Sequence, residues 1–219
     1  MGTIREFADT SFAVPVRGFM QLPDAAPSGG IVLTHGAGAN CNAPLLVALA
    51  EAFSSAGLAV LRCDLPFRQD RPSGPPPRGS AERDQQGLRA AVEAMRREVS
   101  GPVFLGGHSY GGRQASMLAA AESGLIPALL LLSYPLHPPQ KPAEMRTGHF
   151  PRLTTPALFV SGARDGFGSV EEMEAALQLI PARTQLLPVA GAGHELLPRR
   201  NRDEFSHCVA QAFLAFAQA

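Results

Sequence analysis

Lysine is almost missing from this 219-residue chain: Lys141 is the single lysine among nineteen basic residues. Nineteen acidic residues balance them to a formal charge of zero. There is no basic face to suggest nucleic acid and no acidic tail. The arginine bias, with 22 glycines and 20 prolines, reads as the mark of a GC-rich genome rather than of a binding function. Cysteine is scarce as well. Cys41, Cys63 and Cys208 are odd in number and widely spaced, which argues against a disulfide framework and against a C-x-x-C metal site. They read as small, buried or half-buried residues in a reducing cytoplasm. The longest apolar run, around residues 128–132, is far too short to span a bilayer. Residues 1–16 carry Arg5, Glu6 and Asp9 and lack the apolar core of a signal peptide or anchor. Neither G-x-G-x-x-G nor a Gly-Lys-Ser/Thr phosphate loop occurs, and His194-Glu195 has no second histidine at helical spacing to make a zinc motif. There are no internal repeats and no low-complexity tail. The expectation is one cytoplasmic domain over 1–219, with no metal or organic cofactor, no nucleic-acid partner and no membrane association. The oligomeric state stays open.

What is present alternates. Residues 12–22 read as one or two edge strands. Residues 30–35 form a buried strand running into the glycine-bearing loop 36–40. Pro44 suits a helix's first turn, the helix continues over 45–56, and Gly57 ends it. A strand over 58–64 leads into a Pro/Arg-rich surface loop, 65–79. Ser80 is placed to cap a helix over 81–99, although Arg83 stands where a capping box needs Glu or Gln. Further strands are expected at 103–105, 128–134, 156–162 and 184–188, with helices at 113–122, 170–179 (capped by Ser169) and from 201 or 202 to 217. Residues 135–153 form an irregular connection too short for a large lid. Strands alternating with helices predict an α/β fold: a mainly parallel sheet with helices on both faces. In such sheets reactive residues sit past the C-terminal strand ends.

The organising stretch is Val103 to Gly112, reading Val-Phe-Leu-Gly-Gly-His-Ser-Tyr-Gly-Gly. Gly107-His108-Ser109-Tyr110-Gly111 fits G-x-S-x-G, with a strand before and a helix after. That context predicts an elbow that exposes the Ser109 hydroxyl above the sheet. Side chains at Gly107 or Gly111 are expected to collide with neighbouring backbone. A serine needs a base, and the base needs an orienting acid. In this architecture the chain order is serine, acid, histidine. Asp165 follows one expected strand and His194 the next, so all three fall on one sheet edge. Taken alone, Asp165-Gly166 is ordinary turn chemistry. In that order after an elbow serine, the two read as acid and base.

The oxyanion hole needs two backbone N–H donors. Tyr110, next to the nucleophile, is expected to give one, and Ala37, in the loop after the first buried strand, the other. His35 reads as a structural hydrogen-bonding residue, and His108 as one facing the helix-packing side of the elbow. Phe67, Arg68, Leu136 and His137 are the expected substrate contacts, with Arg71 and Tyr134 nearby. Arg68 and Arg71 are either a carboxylate site or solvated loop charges.

On these residues the chain resembles the α/β-hydrolase family. Gly107-His-Ser-Tyr-Gly, Thr34-His-Gly-Ala-Gly, Gly162-Ala-Arg-Asp and Gly193-His194 fall at its motif positions, and the likeness runs from about residue 30 to the C-terminus. It is similar to small, lidless dienelactone-hydrolase-like members, but Ser109 stands where dienelactone hydrolase itself has cysteine. Tyr134-Pro-Leu-His-Pro-Pro also resembles a subset that includes subunits of chromatin complexes. The resemblance implies a hydrolase fold and a serine hydrolase acting on small acyl esters or thioesters, with acyl transfer or peptide hydrolysis as narrower options. A non-catalytic binding or scaffold module on the same fold is the alternative.

Overall fold

The computed structural model describes residues 2–198 and 200–218; Met1, Arg199 and Ala219 of the expected 1–219 unit lie outside the described residues. Among these residues eight strands form one sheet. In chain order they are β1 (Ile4–Asp9), β2 (Val16–Gln21), β3 (Gly29–Thr34), β4 (Leu58–Cys63), β5 (Val103–His108), β6 (Leu129–Leu132), β7 (Ala157–Gly162) and β8 (Thr184–Val189). Their spatial order is β1-β2-β4-β3-β5-β6-β7-β8. β1 and β2 are antiparallel to their neighbours, and the rest run parallel. The chain steps outward from β3 to β4, then returns to lay β5 on the other side of β3. That reversal is the switch point where open α/β sheets form their ligand crevice.

Among the described residues six helices cover the sheet: α1 (Pro44–Ser55), α2 (Pro66–Asp70), α3 (Ala81–Glu98), α4 (Tyr110–Ala121), α5 (Val170–Leu177) and α6 (Arg202–Gln218). The central strands are apolar on both sides, as a doubly covered parallel sheet requires. Alternate residues therefore enter different cores. Val32, Leu61, Leu105, Leu131 and Phe159 face α3, α4 and α5. Ile31, Leu33, Val60, Leu130 and Val160 face α1 and α6. In the second layer Phe213 packs edge-on against Phe53 and Phe104, with ring centroids 5.9 and 5.3 Å apart.

Several elements differ from their expected form. β1 was not expected; in it only Phe7 is buried, so the run carries almost no alternating signal. β2 is consequently the second strand, not the edge. The loop 65–79 contains α2, whose five residues begin at Pro66. Ser80 makes no side-chain cap to α3 and has helical dihedrals itself; its hydroxyl lies 3.4 Å from the Tyr110 hydroxyl. Ser169 does cap α5, and it does so as a full capping box with Glu172.

His149 precedes a short 3-10 turn, Phe150–Arg152, and donates from Nε2 to Ser116 Oγ of α4 over 2.8 Å, while that hydroxyl donates to Arg113 O. Burial pushes the His149 pKa down to about 4 from an ordinary 6.5. The native ring refuses a proton that the unfolded chain accepts, so its contribution is intact above pH 6.5 and is lost as pH falls toward 4. Burial depresses His35 and His108 in the same direction. His149→Gln is expected to reduce the stability lost between pH 7.5 and 5 by about 2 kcal/mol. Urea titrations at both pH values measure this; equal losses in the two proteins contradict it.

Candidate active site

The elbow follows from crowding. Ser109 joins β5 to α4 with φ 51° and ψ −116°, a conformation that non-glycine residues rarely adopt and that must be held by its surroundings. The Ser109 N–H donates to Leu132 O over 2.8 Å, and its carbonyl accepts from Arg113 N–H over 3.0 Å. A Cβ at Gly107 would sit 2.6 Å from Gly111 C, and one at Gly111 would sit 2.5 Å from His35 O. Only hydrogen fits at either position. The turn thereby brings the start of α4 against the end of β3, with the dipole of α4 directed toward the serine.

The structure brings Ser109, His194 and Asp165 together. His194 Nε2 lies 2.8 Å from Ser109 Oγ, and Nδ1 lies 2.9 and 3.0 Å from the two Asp165 oxygens. The carboxylate accepts, so Nδ1 carries the proton and Nε2 presents its lone pair to the serine hydroxyl. Asp165 is buried at the turn after β7, where it also accepts the Phe167 N–H over 2.9 Å. His194 lies on the loop after β8. That loop is tied to the turn after β7 by Arg164 N–H on Ala192 O at 2.9 Å. The Phe167 ring stacks on the imidazole at 4.2 Å.

His108 departs from its expected place. It faces the cleft rather than the packing side, and its Nε2–H donates to the His194 carbonyl over 2.8 Å. Burial holds its pKa below the ordinary histidine value, so the ring stays a neutral donor. His35 makes the hydrogen bonds of a structural residue. Its Nδ1–H donates to Gly36 O over 2.8 Å, and its Nε2 accepts from Leu65 N–H over 3.1 Å.

The loop after β3 borders the serine because β3 pairs with β5, Thr34 opposite Gly107. Gly36, Ala37, Gly38 and Ala39 line one side of a cleft of about 550 Å³ that contains Ser109 and His194. Tyr110 is the first residue of α4, so its N–H has no intrahelical acceptor. Its side chain is pinned by a 2.7 Å hydrogen bond to buried Asp84, whose pKa burial raises. The cleft can hold a carbonyl beside a polarised hydroxyl, with N–H groups at hand for a developing negative charge.

The expected substrate contacts do not reach this cleft. Phe67 is core, packed edge-on against His35 and Tyr110 at 5.7 Å each. Arg68 turns inward, and backbone carbonyls occupy its guanidinium. Leu136 is fully buried. His137 is buried beside α5, against Pro138 O at 2.8 Å and Glu172 at 3.3 Å. Tyr134 donates to Arg146 O over 2.7 Å, and Arg71 is exposed outside the cleft. Instead Pro44, Leu45, Leu46, Phe167, Leu197 and Arg202 complete the walls. A signal for some of these existed: Pro44 to Leu46 directly follow the glycine loop, and Phe167 lies two residues past the acid. No described group of three or more His, Cys, Asp or Glu side chains is placed to hold a metal.

A sequence-family model described as "Alpha/beta hydrolase domain" matches residues 27–218. Among solved structures, a dienelactone hydrolase from Anabaena variabilis superposes with TM-score 0.77 at 19% identity, covering 98% of both chains. Est1E from Butyrivibrio proteoclasticus, solved with ferulic acid bound, gives 0.79 at 17% identity over 97% of this chain and 100% of that one. A serine hydrolase without a lid from Xanthomonas campestris gives 0.70 at 16% over 100% and 96%. At these identities the likeness is one of fold.

Gly107→Ala is expected to destabilise the protein by on the order of 3 kcal/mol, since backbone on both sides must give way. Chemical denaturation tests this; a loss below about 1 kcal/mol contradicts the crowded-elbow account.

Proposed function

The chain belongs to the alpha/beta hydrolase domain family, and on that premise we propose that it is a serine hydrolase cleaving small carboxylic esters or thioesters. The observation that carries this is the unbroken relay from Ser109 through His194 to Asp165, with hydrogen bonds of 2.8 and 2.9 Å. Ser109 Oγ attacks the substrate carbonyl carbon and passes its proton to His194 Nε2. Asp165 keeps the imidazole in the required tautomer and stabilises its charged form. The Tyr110 and Ala37 N–H groups receive the oxyanion. The tetrahedral intermediate collapses, and His194 returns the proton to the departing alcohol or thiol. Water, deprotonated by His194, then attacks the acyl-enzyme and releases the carboxylic acid.

The substrate is a small-molecule acyl compound. Leu45, Leu46, Phe167 and Leu197 offer an apolar wall that suits a short acyl or alcohol group. The ferulic acid held by the Est1E relative supports an ester of that size. The reading needs no metal or organic cofactor. The three free cysteines fit work in the cytoplasm, and no described helix is long and apolar enough to cross a membrane.

A fluorophosphonate probe is expected to label the wild type and to leave Ser109→Ala and His194→Ala unlabelled. With p-nitrophenyl acetate, Ser109→Ala is expected to lower kcat by about ten-thousandfold or more without changing the unfolding midpoint. A folded wild type that resists the probe points to a binding module on this fold. Turnover of Ser109→Ala within tenfold of wild type also overturns the assignment.

A further inference from the structure

We infer that Arg68 is a positioning residue: its buried guanidinium clamps the loop that carries the Ala37 oxyanion donor. The inference rests on the hydrolase reading above and assigns a role that the expected substrate contact did not.

Arg68 sits in α2 with 5% of its surface exposed. Its Nε donates to Ala39 O over 2.8 Å, Nη2 to Ala37 O over 2.8 Å and to Gly74 O over 2.9 Å, and Nη1 to Arg71 O over 3.1 Å. Four of the five donors of the fork are thus used, and every acceptor is a backbone carbonyl. Burying a permanent charge is unfavourable unless its donors are satisfied. Here two of the four acceptors, Ala37 O and Ala39 O, belong to the loop bordering Ser109, and the other two, Arg71 O and Gly74 O, to the segment after α2.

The geometry at Ala37 shows what the clamp fixes. The Gly36 carbonyl accepts from His35 Nδ1–H at 2.8 Å and from Ala39 N–H at 3.1 Å. The Ala37 carbonyl accepts from Arg68. Both peptide planes flanking Ala37 are therefore held from their oxygen ends. No described peptide bond is cis, and in a trans peptide the N–H points opposite to the carbonyl. Pinning Gly36 O thus aims the Ala37 N–H, and pinning Ala37 O stops the residue from rotating behind it. Lysine carries the charge but concentrates its donors on one atom, so it cannot span Ala37 and Ala39 as a planar fork does. Gly74 O and Arg71 O anchor the other end of the fork, making the segment after α2 a strut for the loop.

The test compares wild type, Arg68→Lys and Arg68→Ala with p-nitrophenyl acetate, active sites being counted by complete phosphonylation. Per titrated site, Arg68→Lys is expected to lose about tenfold to a hundredfold in kcat with KM within about threefold. A phenylboronic acid, which mimics the tetrahedral state, is expected to weaken by the same factor as kcat/KM. Added guanidinium chloride, at a concentration well below denaturing, is expected to restore part of the Arg68→Ala rate. Unchanged kcat per site in Arg68→Lys, with only a lower melting temperature, overturns the inference and leaves Arg68 a structural staple. A loss confined to KM overturns it in favour of a substrate contact. Should neither variant fold, the wild type decides by nitrogen-15 NMR. The Arg68 Nε–H resonance is expected to shift on phosphonylation of Ser109, and an unmoved resonance overturns the clamp. A wild type that neither labels nor turns over fails the hydrolase reading itself and takes this inference with it; an active wild type isolates the failure to Arg68.

Discussion

The close approach of β3 and β5 at the sheet's reversal point is the constraint on which the rest depends. Thr34 lies opposite Gly107, and the absence of a side chain at Gly111 lets α4 begin against His35 O. That contact puts the loop after β3 and the serine on one cleft wall. It also forces Ser109 into a positive-φ conformation that tight packing sustains and that local propensity alone disfavours. Fully buried strands on either side supply the rigidity. A sheet covered on both faces cannot relax around a strained turn as a surface hairpin can.

Hydrogen bonds between neighbouring loops then hold the geometry of the cleft. The loop after β8 is held to the turn after β7 by Arg164 N–H on Ala192 O, and to β5 by the imidazole of His108 on His194 O. Asp165 is oriented by the Phe167 amide. Each loop is short and fastened at two or more points, so the relay distances are set by the sheet rather than by side-chain choice. Neutral buried imidazoles recur as fasteners at His35, His108 and His149. The same choice makes the fold sensitive to acid, because each must stay unprotonated to keep its acceptor role or its place in the core.

The fold class and the convergence of Ser109, Asp165 and His194 were legible for a common reason. Each of the three closely follows a strand and has a glycine within two positions, and strand ends on one sheet edge converge whatever the details of packing. The residues lining the cleft were not legible, because lying on the correct edge does not decide which way a side chain points. Arg68 and Phe67 lie in α2, a five-residue helix hidden inside a Pro/Arg-rich stretch, and that turn directs both inward. Leu136 is held in the core, where Gly168 packs against its Cβ. His108 was read with the wrong orientation because the alternation of β5 places it on the face of Phe104, opposite that of Leu105 and α4. β1 escaped notice because a peripheral strand with one buried side chain leaves no periodicity to read.

The account stands or falls on whether Ser109 forms a covalent acyl intermediate. The most direct measurement is intact-protein mass after rapid acid quench during turnover of p-nitrophenyl acetate, followed by peptide mapping. The account predicts one added acetyl group, located on Ser109 and absent when His194 is replaced by alanine. Turnover with no acylated species under single-turnover conditions, or acetyl on any residue other than Ser109, would contradict it.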